Sequence, residues 1–206
     1  MEVELKKIVV GKTKENCYLI RRGNEAYLVD PGDDFLDIIE EFDLDSLNLK
    51  AIINTHGHYD HIGAIADLKD RYEVPFLIHS LDKRIVSRGN LYKQVTGDLS
   101  EFKTPSVDDF LDDIATFKLG DNEIRIFHIP GHTPGCVCFE FSNELIIGDV
   151  IFEHAIGRTD LPGGNAEQMK DSISFILTNF LNYTIHPGHG NSFILNDEFI
   201  KELKLK

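Results

Sequence analysis

The chain has 206 residues, 42% of them apolar, which is ample for a buried core with no help from disulfides. Its 21 Lys and Arg against 35 Asp and Glu leave a net charge of −14, spread along the chain. That balance argues against nucleic acid, which needs a concentrated basic face, and against an anionic membrane surface. The start, Met1-Glu2-Val3-Glu4-Leu5-Lys6-Lys7, lacks the apolar stretch of a secretory signal, and no run approaches a transmembrane helix in length. Three cysteines make an odd count. Cys136 and Cys138, two apart in a strand-like run, read as small buried apolar residues on one face, and a reducing cytoplasm fits this usage.

In chain order, residues 3–10 and 16–30 read as strands, the second region folded into a hairpin at Arg22-Gly23-Asn24. It stops at the turn Asp30-Pro31-Gly32-Asp33. A helix is expected over 34–42, a buried strand over 49–54, a helix over 62–71 and a short strand over 74–78. From 87 to 106 the periodicity is lost, which suits either a lid beside a site or a surface excursion. Further strands are expected at 114–118, 123–129, 136–142 and 144–148. A helix over 166–181, a strand over 183–185 and a closing helix over 197–206 complete the chain. Strands and helices in both halves, without strict alternation, indicate an α/β domain with mixed sheets, and no linker divides residues 1–206 into two.

Chemistry concentrates in Thr55-His56-Gly57-His58-Tyr59-Asp60-His61, where four metal-capable side chains directly follow the apolar run Ala51-Ile52-Ile53. Imidazole and carboxylate suit zinc and related divalent ions, and packing has no use for such crowding. Three other apolar runs also end at a metal-capable residue: His132 after Pro130-Gly131, Asp149 after Gly148, and His189 after Pro187-Gly188. Sites in sheet-based α/β proteins gather at such strand ends. The seven residues His56, His58, Asp60, His61, His132, Asp149 and His189 suffice for two metals with positions left open for water. Of the other histidines, His79, His128 and His186 read as core or supporting groups, and His154 lies close enough in sequence to Asp149 to approach the site.

These motifs, with Val-Asp-Pro-Gly at 29–32, Pro-Gly-His-Thr-Pro-Gly at 130–135 and Pro-Gly-His-Gly at 187–190, resemble the ordered motifs of the metallo-β-lactamase superfamily over residues 8–195. The resemblance implies an αββα sandwich, two mixed β-sheets between outer helices, with metals at one edge. The Asp60-His61 pair and His132 are similar to the glyoxalase II branch, and the loop from Gly157 to Gly164 resembles one in short hydroxyacylglutathione hydrolase-like proteins. By that resemblance His56, His58 and His132 hold the first metal. Asp60, His61 and His189 hold the second, Asp149 bridges, and Asp30 orients ligands. Zinc is the expected metal, with iron or manganese as alternatives. Classical glyoxalase II enzymes add a C-terminal helical domain that binds glutathione, and this chain is expected to lack it. Lys201, Lys204 and Lys206 read instead as a solvated helix face.

The implied reaction is hydrolysis of a small thioester of the S-(2-hydroxyacyl)glutathione type, with Asp60 and Asp149 as the catalytic carboxylates. Metal binding lowers the pKa of water towards roughly 7, providing hydroxide at neutral pH. A thiol of pKa about 8.5 leaves as thiolate without a dedicated acid, whereas an amine would have to be protonated. Arg158, if its loop folds over the site, could meet a carboxylated substrate. The rival is a persulfide dioxygenase with one iron on His56, His132 and Asp149, and nuclease activity is a further alternative that the acidic charge disfavours.

Overall fold

The computed structural model describes residues 1–203. Two six-stranded sheets are stacked face to face. The first has the order β1 (Glu4–Val10), β2 (Glu15–Arg22), β3 (Glu25–Val29), β4 (Asn48–Ile53), β5 (Phe76–Ile78) and β6 (Asp109–Phe110). Its first three strands form an antiparallel meander and the rest run parallel. The second sheet draws on β7 (Thr116–Leu119), β8 (Asn122–His128), β9 (Val137–Phe141) and β10 (Glu144–Gly148). A small hairpin of β11 (Ile151–Phe152) and β12 (Ala155–Ile156) comes next in the chain, before β13 (Thr184–Pro187) and β14 (Phe193–Ile194). The second sheet has the order β14-β13-β10-β9-β8-β7, and only the β10–β13 pair is parallel. Both sheets are therefore mixed, as the sequence predicts.

Residue alternation builds the layers. Tyr18, Ile20, Tyr27, Val29, Ala51 and Ile53 of the first sheet meet Ile124, Val137, Phe139, Phe141 and Ile146 of the second in an inter-sheet core. The intervening residues Cys17, Leu19, Leu28 and Ile52 point the other way, onto helices α1 (Phe35–Phe42) and α3 (Ile65–Tyr72). On the far face of the second sheet, Cys136, Cys138, Leu145 and Ile147 pack beneath the long helix Ala166–Asn179. Strands buried on both faces in this way read as continuous apolar runs, which is how the sequence displays β2 and β10. The result is the αββα sandwich. The three cysteines are buried and unpaired, with Cys136 and Cys138 on the same face.

Two expectations need correction. The helix over 62–71 is interrupted at Gly63–Ala64, between α2 (Tyr59–Ile62) and α3, where Gly63 backs onto the Gly32 carbonyl so closely that a Cβ would sit 2.2 Å from it. The stretch 87–106 is not wholly irregular. After α4 (Lys83–Val86) it forms α5 (Gly89–Val95), which packs on α2 rather than on the main core, so its apolar residues show no inward-facing period. The long helix is α6 and the closing one is α7 (Asp197–Glu202), each started by an asparagine, Asn165 or Asn196, whose side chain accepts from the first-turn amides. Lys204 and Lys206 lie outside the described residues. No helix among the described residues is long and apolar enough to cross a membrane.

Candidate metal centre

All seven residues singled out as ligands converge at one edge of the sandwich, each on the segment that follows a strand. The segment after β4 brings His56 and His58 on its loop and Asp60 and His61 on α2, and the loops after β8, β10 and β13 bring His132, Asp149 and His189. Hydrogen bonds between the sheets hold these loops in register. Val137 N donates to Thr55 O at 2.9 Å, and Asn16 N donates to Gly188 O at 2.7 Å. The Tyr18 hydroxyl donates to Pro187 O at 2.6 Å. Gly188 has to be glycine, since a Cβ there would lie 2.2 Å from Asp149 Oδ1 and fill the centre itself.

The side chains fall into two triads, His56–His58–His132 and Asp60–His61–His189. In the first, His58 Nδ1 lies 3.1 Å from His56 Nε2 and 2.9 Å from His132 Nε2. In the second, His189 Nε2 is 3.5 Å from Asp60 Oδ2. Asp149 stands between them. One oxygen is 3.6 Å from His132 Nε2 and 3.6 Å from His189 Nε2, and the other is 3.7 Å from His61 Nε2.

The donor set fits divalent metals in detail. Four of the five imidazoles have their outer nitrogen held by oxygen, which leaves the inner Nε2 lone pair aimed at the centre. His56 Nδ1 is 3.1 Å from Thr55 Oγ1, and His61 Nδ1 is 3.1 Å from Asp30 Oδ2. His132 Nδ1 donates to Arg158 O at 2.8 Å, and His189 Nδ1 faces the carbonyls of Thr13 and Lys14. His58 alone turns Nδ1 inward. His61 Nε2 and Asp149 Oδ1 are buried without a hydrogen-bond partner, the arrangement expected of atoms that bind an ion.

Electrostatics separates the triads. Burial, reinforced by the neighbouring histidines, holds His56 well below the usual imidazole range. The same causes, burial first and then His132, push His58 down to about 3. Burial also opposes charge on His61, but Asp149, Asp30 and Asp60 outweigh it and raise its pKa well above normal. His189 is likewise raised, because Asp60 and Asp149 overcome its burial. Asp60 is lowered despite burial by its bond to His189 and by His61.

Asp30 sits fully buried behind the motif with a left-handed backbone (φ 51°). Its carboxylate accepts from Thr55 N at 2.7 Å and Thr55 Oγ1 at 2.5 Å as well as facing His61, so it holds both ends of the motif that follows β4. Sequence reasoning missed two further carboxylates. Asp82 accepts from Gly57 N at 2.9 Å, Thr133 Oγ1 at 2.6 Å and Gly135 N at 2.7 Å, clamping the His56–His58 loop to the His132 loop. Glu15 is completely buried, 3.6 Å from His61 Nδ1, with both oxygens lacking a hydrogen-bond partner. Burial, and then the nearby Asp30, Asp60 and Asp149 against the opposing His61, leave its pKa well above normal. Arg158 reaches the rim, where its guanidinium makes two 2.9 Å bonds to Asp160. His79 and His128 stack on each other, His186 bonds Ser192 and Glu144, and His154 is exposed, so none of the four enters either triad.

Residues 10–190 match the family model of the metallo-β-lactamase superfamily. The chain belongs to that superfamily. It is 33% identical to a protein of Haemophilus influenzae named hydroxyacylglutathione hydrolase GloC, over 96% of this chain and 95% of that one. The crystal structure of TTHA1623 in a di-iron-bound form superposes with a TM-score of 0.84 at 30% identity, covering 92% of this chain and 94% of that one. A crystal structure of the B3 metallo-β-lactamase BLEG-1 gives a TM-score of 0.85 at 31% identity, covering 93% and 94%. Members of this superfamily bind divalent metals, and the His/Asp clusters here are the matching feature of this metallo-β-lactamase-fold protein.

Proposed function

We propose that this protein is a metal-dependent hydrolase of thioesters, of the S-(2-hydroxyacyl)glutathione type. The observation that carries the reading is the Asp149 carboxylate, within 3.7 Å of ring nitrogens from both triads and so able to serve two ions at once. His56, His58 and His132 would hold one ion and Asp60, His61 and His189 the other, with zinc as the expected metal and iron or manganese as alternatives. Two such ions, when bound, supply a hydroxide nucleophile at neutral pH and polarise the substrate carbonyl.

The remaining work falls to the chain. Thr55 and Asp30 fix the ring orientations of His56 and His61, and the Arg158 carbonyl fixes that of His132. A thiolate can leave without protonation, so a thioester needs no acid from the cleft. An amide does, and the ionisable groups in the cleft besides the ligand set are Tyr59, Tyr92 and Arg158. The Tyr59 hydroxyl is engaged with Thr96 at 3.2 Å and Arg158 with Asp160, which leaves Tyr92 as the group a lactam would have to recruit. The similarity to GloC supports the thioester, and the similarity to BLEG-1 favours β-lactam hydrolysis as a second reading.

Metal-loaded protein assayed in parallel on S-lactoylglutathione, a chromogenic cephalosporin and glutathione persulfide separates these. Loss of thioester absorbance without the other activities is the expected result. Cephalosporin turnover alone would replace the reading, and oxygen uptake on the persulfide with a single bound iron would make the protein a dioxygenase.

A further inference from the structure

The metal centre opens into a cleft of 690 Å³, a size typical of sites for drug-sized ligands and several times what a three-carbon acyl group fills. One wall is α5, which presents Leu91, Tyr92 and Val95. The other is the β11–β12 hairpin and the loop behind it, with Phe152, Ile156 and Leu161. Leu91 and Val95, both large apolar residues of α5, are 53% and 79% exposed. Single exposed apolar residues are ordinary, but here they face an apolar wall across an open groove whose floor is His58, His132, Asp149 and His189. The Phe152 ring lies 6.3 Å from the His189 ring, so the apolar surface begins beside the second triad. Apart from histidines, the cation among the lining residues is Arg158, already paired with Asp160. No other Lys or Arg is among the described residues that line this cleft.

Resting on the thioester reading above, we infer that this cleft is an acyl-chain subsite, and that the thioesters hydrolysed best carry a medium-length aliphatic or aromatic acyl group. Hydrolysis forms a C–O bond from water to the carbonyl carbon and breaks the C–S bond. The sulfur departs with the bonding pair, and the two protons of the water end on the thiol and in solvent. The carboxylate product keeps its charge at the metal centre, whereas the thiolate must be solvated as it leaves. The carrier therefore points to open water and the acyl chain lies along the apolar walls.

Two substrate series test this with the metal-loaded protein: N-acetylcysteamine thioesters from acetyl to octanoyl, and acetyl thioesters of alkanethiols from ethyl to octyl. Burying a methylene is worth about 0.8 kcal/mol when complete, so a half-open cleft gives about a twofold rise in kcat/KM per methylene. Over six methylenes the acyl series should rise on the order of fiftyfold, while the thiol series stays flat. Leu91→Asn with Val95→Thr keeps side-chain branching at two exposed positions while making them polar, and the octanoyl-to-acetyl ratio should fall by at least about fivefold. A flat acyl series, a slope in the thiol series alone, or an unchanged ratio in the double variant would overturn the subsite while leaving thioester hydrolysis standing. Absence of turnover on every thioester would overturn the reaction itself, and the subsite with it.

Discussion

The two triads that meet at Asp149 differ in what surrounds them more than in what composes them. His56, His58 and His132 stand among other imidazoles, and burial keeps His56 and His58 neutral. His61 and His189 stand among Asp30, Asp60 and Asp149, and their pKa values are raised. A metal ligand must be deprotonated. The first pocket is therefore preset to accept an ion without releasing protons from His56 or His58, while the second must release them. Carboxylate-rich surroundings in turn offer the second ion more charge compensation. Both pockets draw on the segment after β4 but take their remaining histidine from different loops, His132 after β8 and His189 after β13, and the contrast comes from the carboxylates Asp30, Asp60 and Asp149 that crowd the second.

Removing the shared group should have the largest effect. Asp149→Ala is expected to lower activity by more than about a hundredfold, beyond the usual cost of losing an outer-layer partner, and to reduce bound metal below two per chain by elemental analysis. Asp60→Ala should act on one side only: metal content falls towards one per chain, activity falls by at least about tenfold, and the circular dichroism spectrum is retained. Equal loss from both pockets would break the comparison, and full activity would return the one-iron dioxygenase to favour. Asp82→Ala strikes the first pocket from behind. It leaves Gly57 N, Gly135 N and Thr133 Oγ1 without their acceptor, so stability should fall by about 1–3 kcal/mol in urea titration and first-pocket metal affinity by about tenfold or more.

The contrast also predicts opposite pH limbs for the metal-free protein. His58 titrates at about 3 when folded, against about 6.5 when unfolded. Between those values the unfolded chain binds more protons, so stability drops as pH falls from about 6.5 towards 3. His61 works the other way. Its raised pKa gives stability that is full below about 6.5 and is lost as pH rises through the folded value. Thermal melts of His58→Gln should flatten the acid limb and those of His61→Gln the alkaline one. The smallest effect belongs to Arg158→Ala, which removes an exposed ion pair and should leave the thermal melt unchanged and shift KM on a short acyl thioester by less than about threefold.

Much of this architecture is legible in the chain. Buried strands such as β2, β4 and β10 announce themselves as apolar runs, and each run that ends at a His or Asp points to a loop at the sheet edge. Helix α5 is not legible, because it packs on α2 and the cleft rather than on the core and so leaves no apolar stripe on an inner face. Glu15 and Asp82 escape for another reason. A carboxylate in a strand-like run or a short polar turn looks solvated, and only the closing of distant loops over it shows that it is buried.

The sequence by itself determined the layered α/β class and singled out the seven His and Asp side chains that converge, because continuous apolar runs and the residues that end them are local properties. Tertiary structure alone decided how close these side chains stand, how Asp149 lies between the two triads, and in which direction each buried histidine is shifted. Those outcomes depend on distances between loops separated by many residues in the chain, and on the dielectric and carboxylate environment that forms only when two sheets meet at one edge.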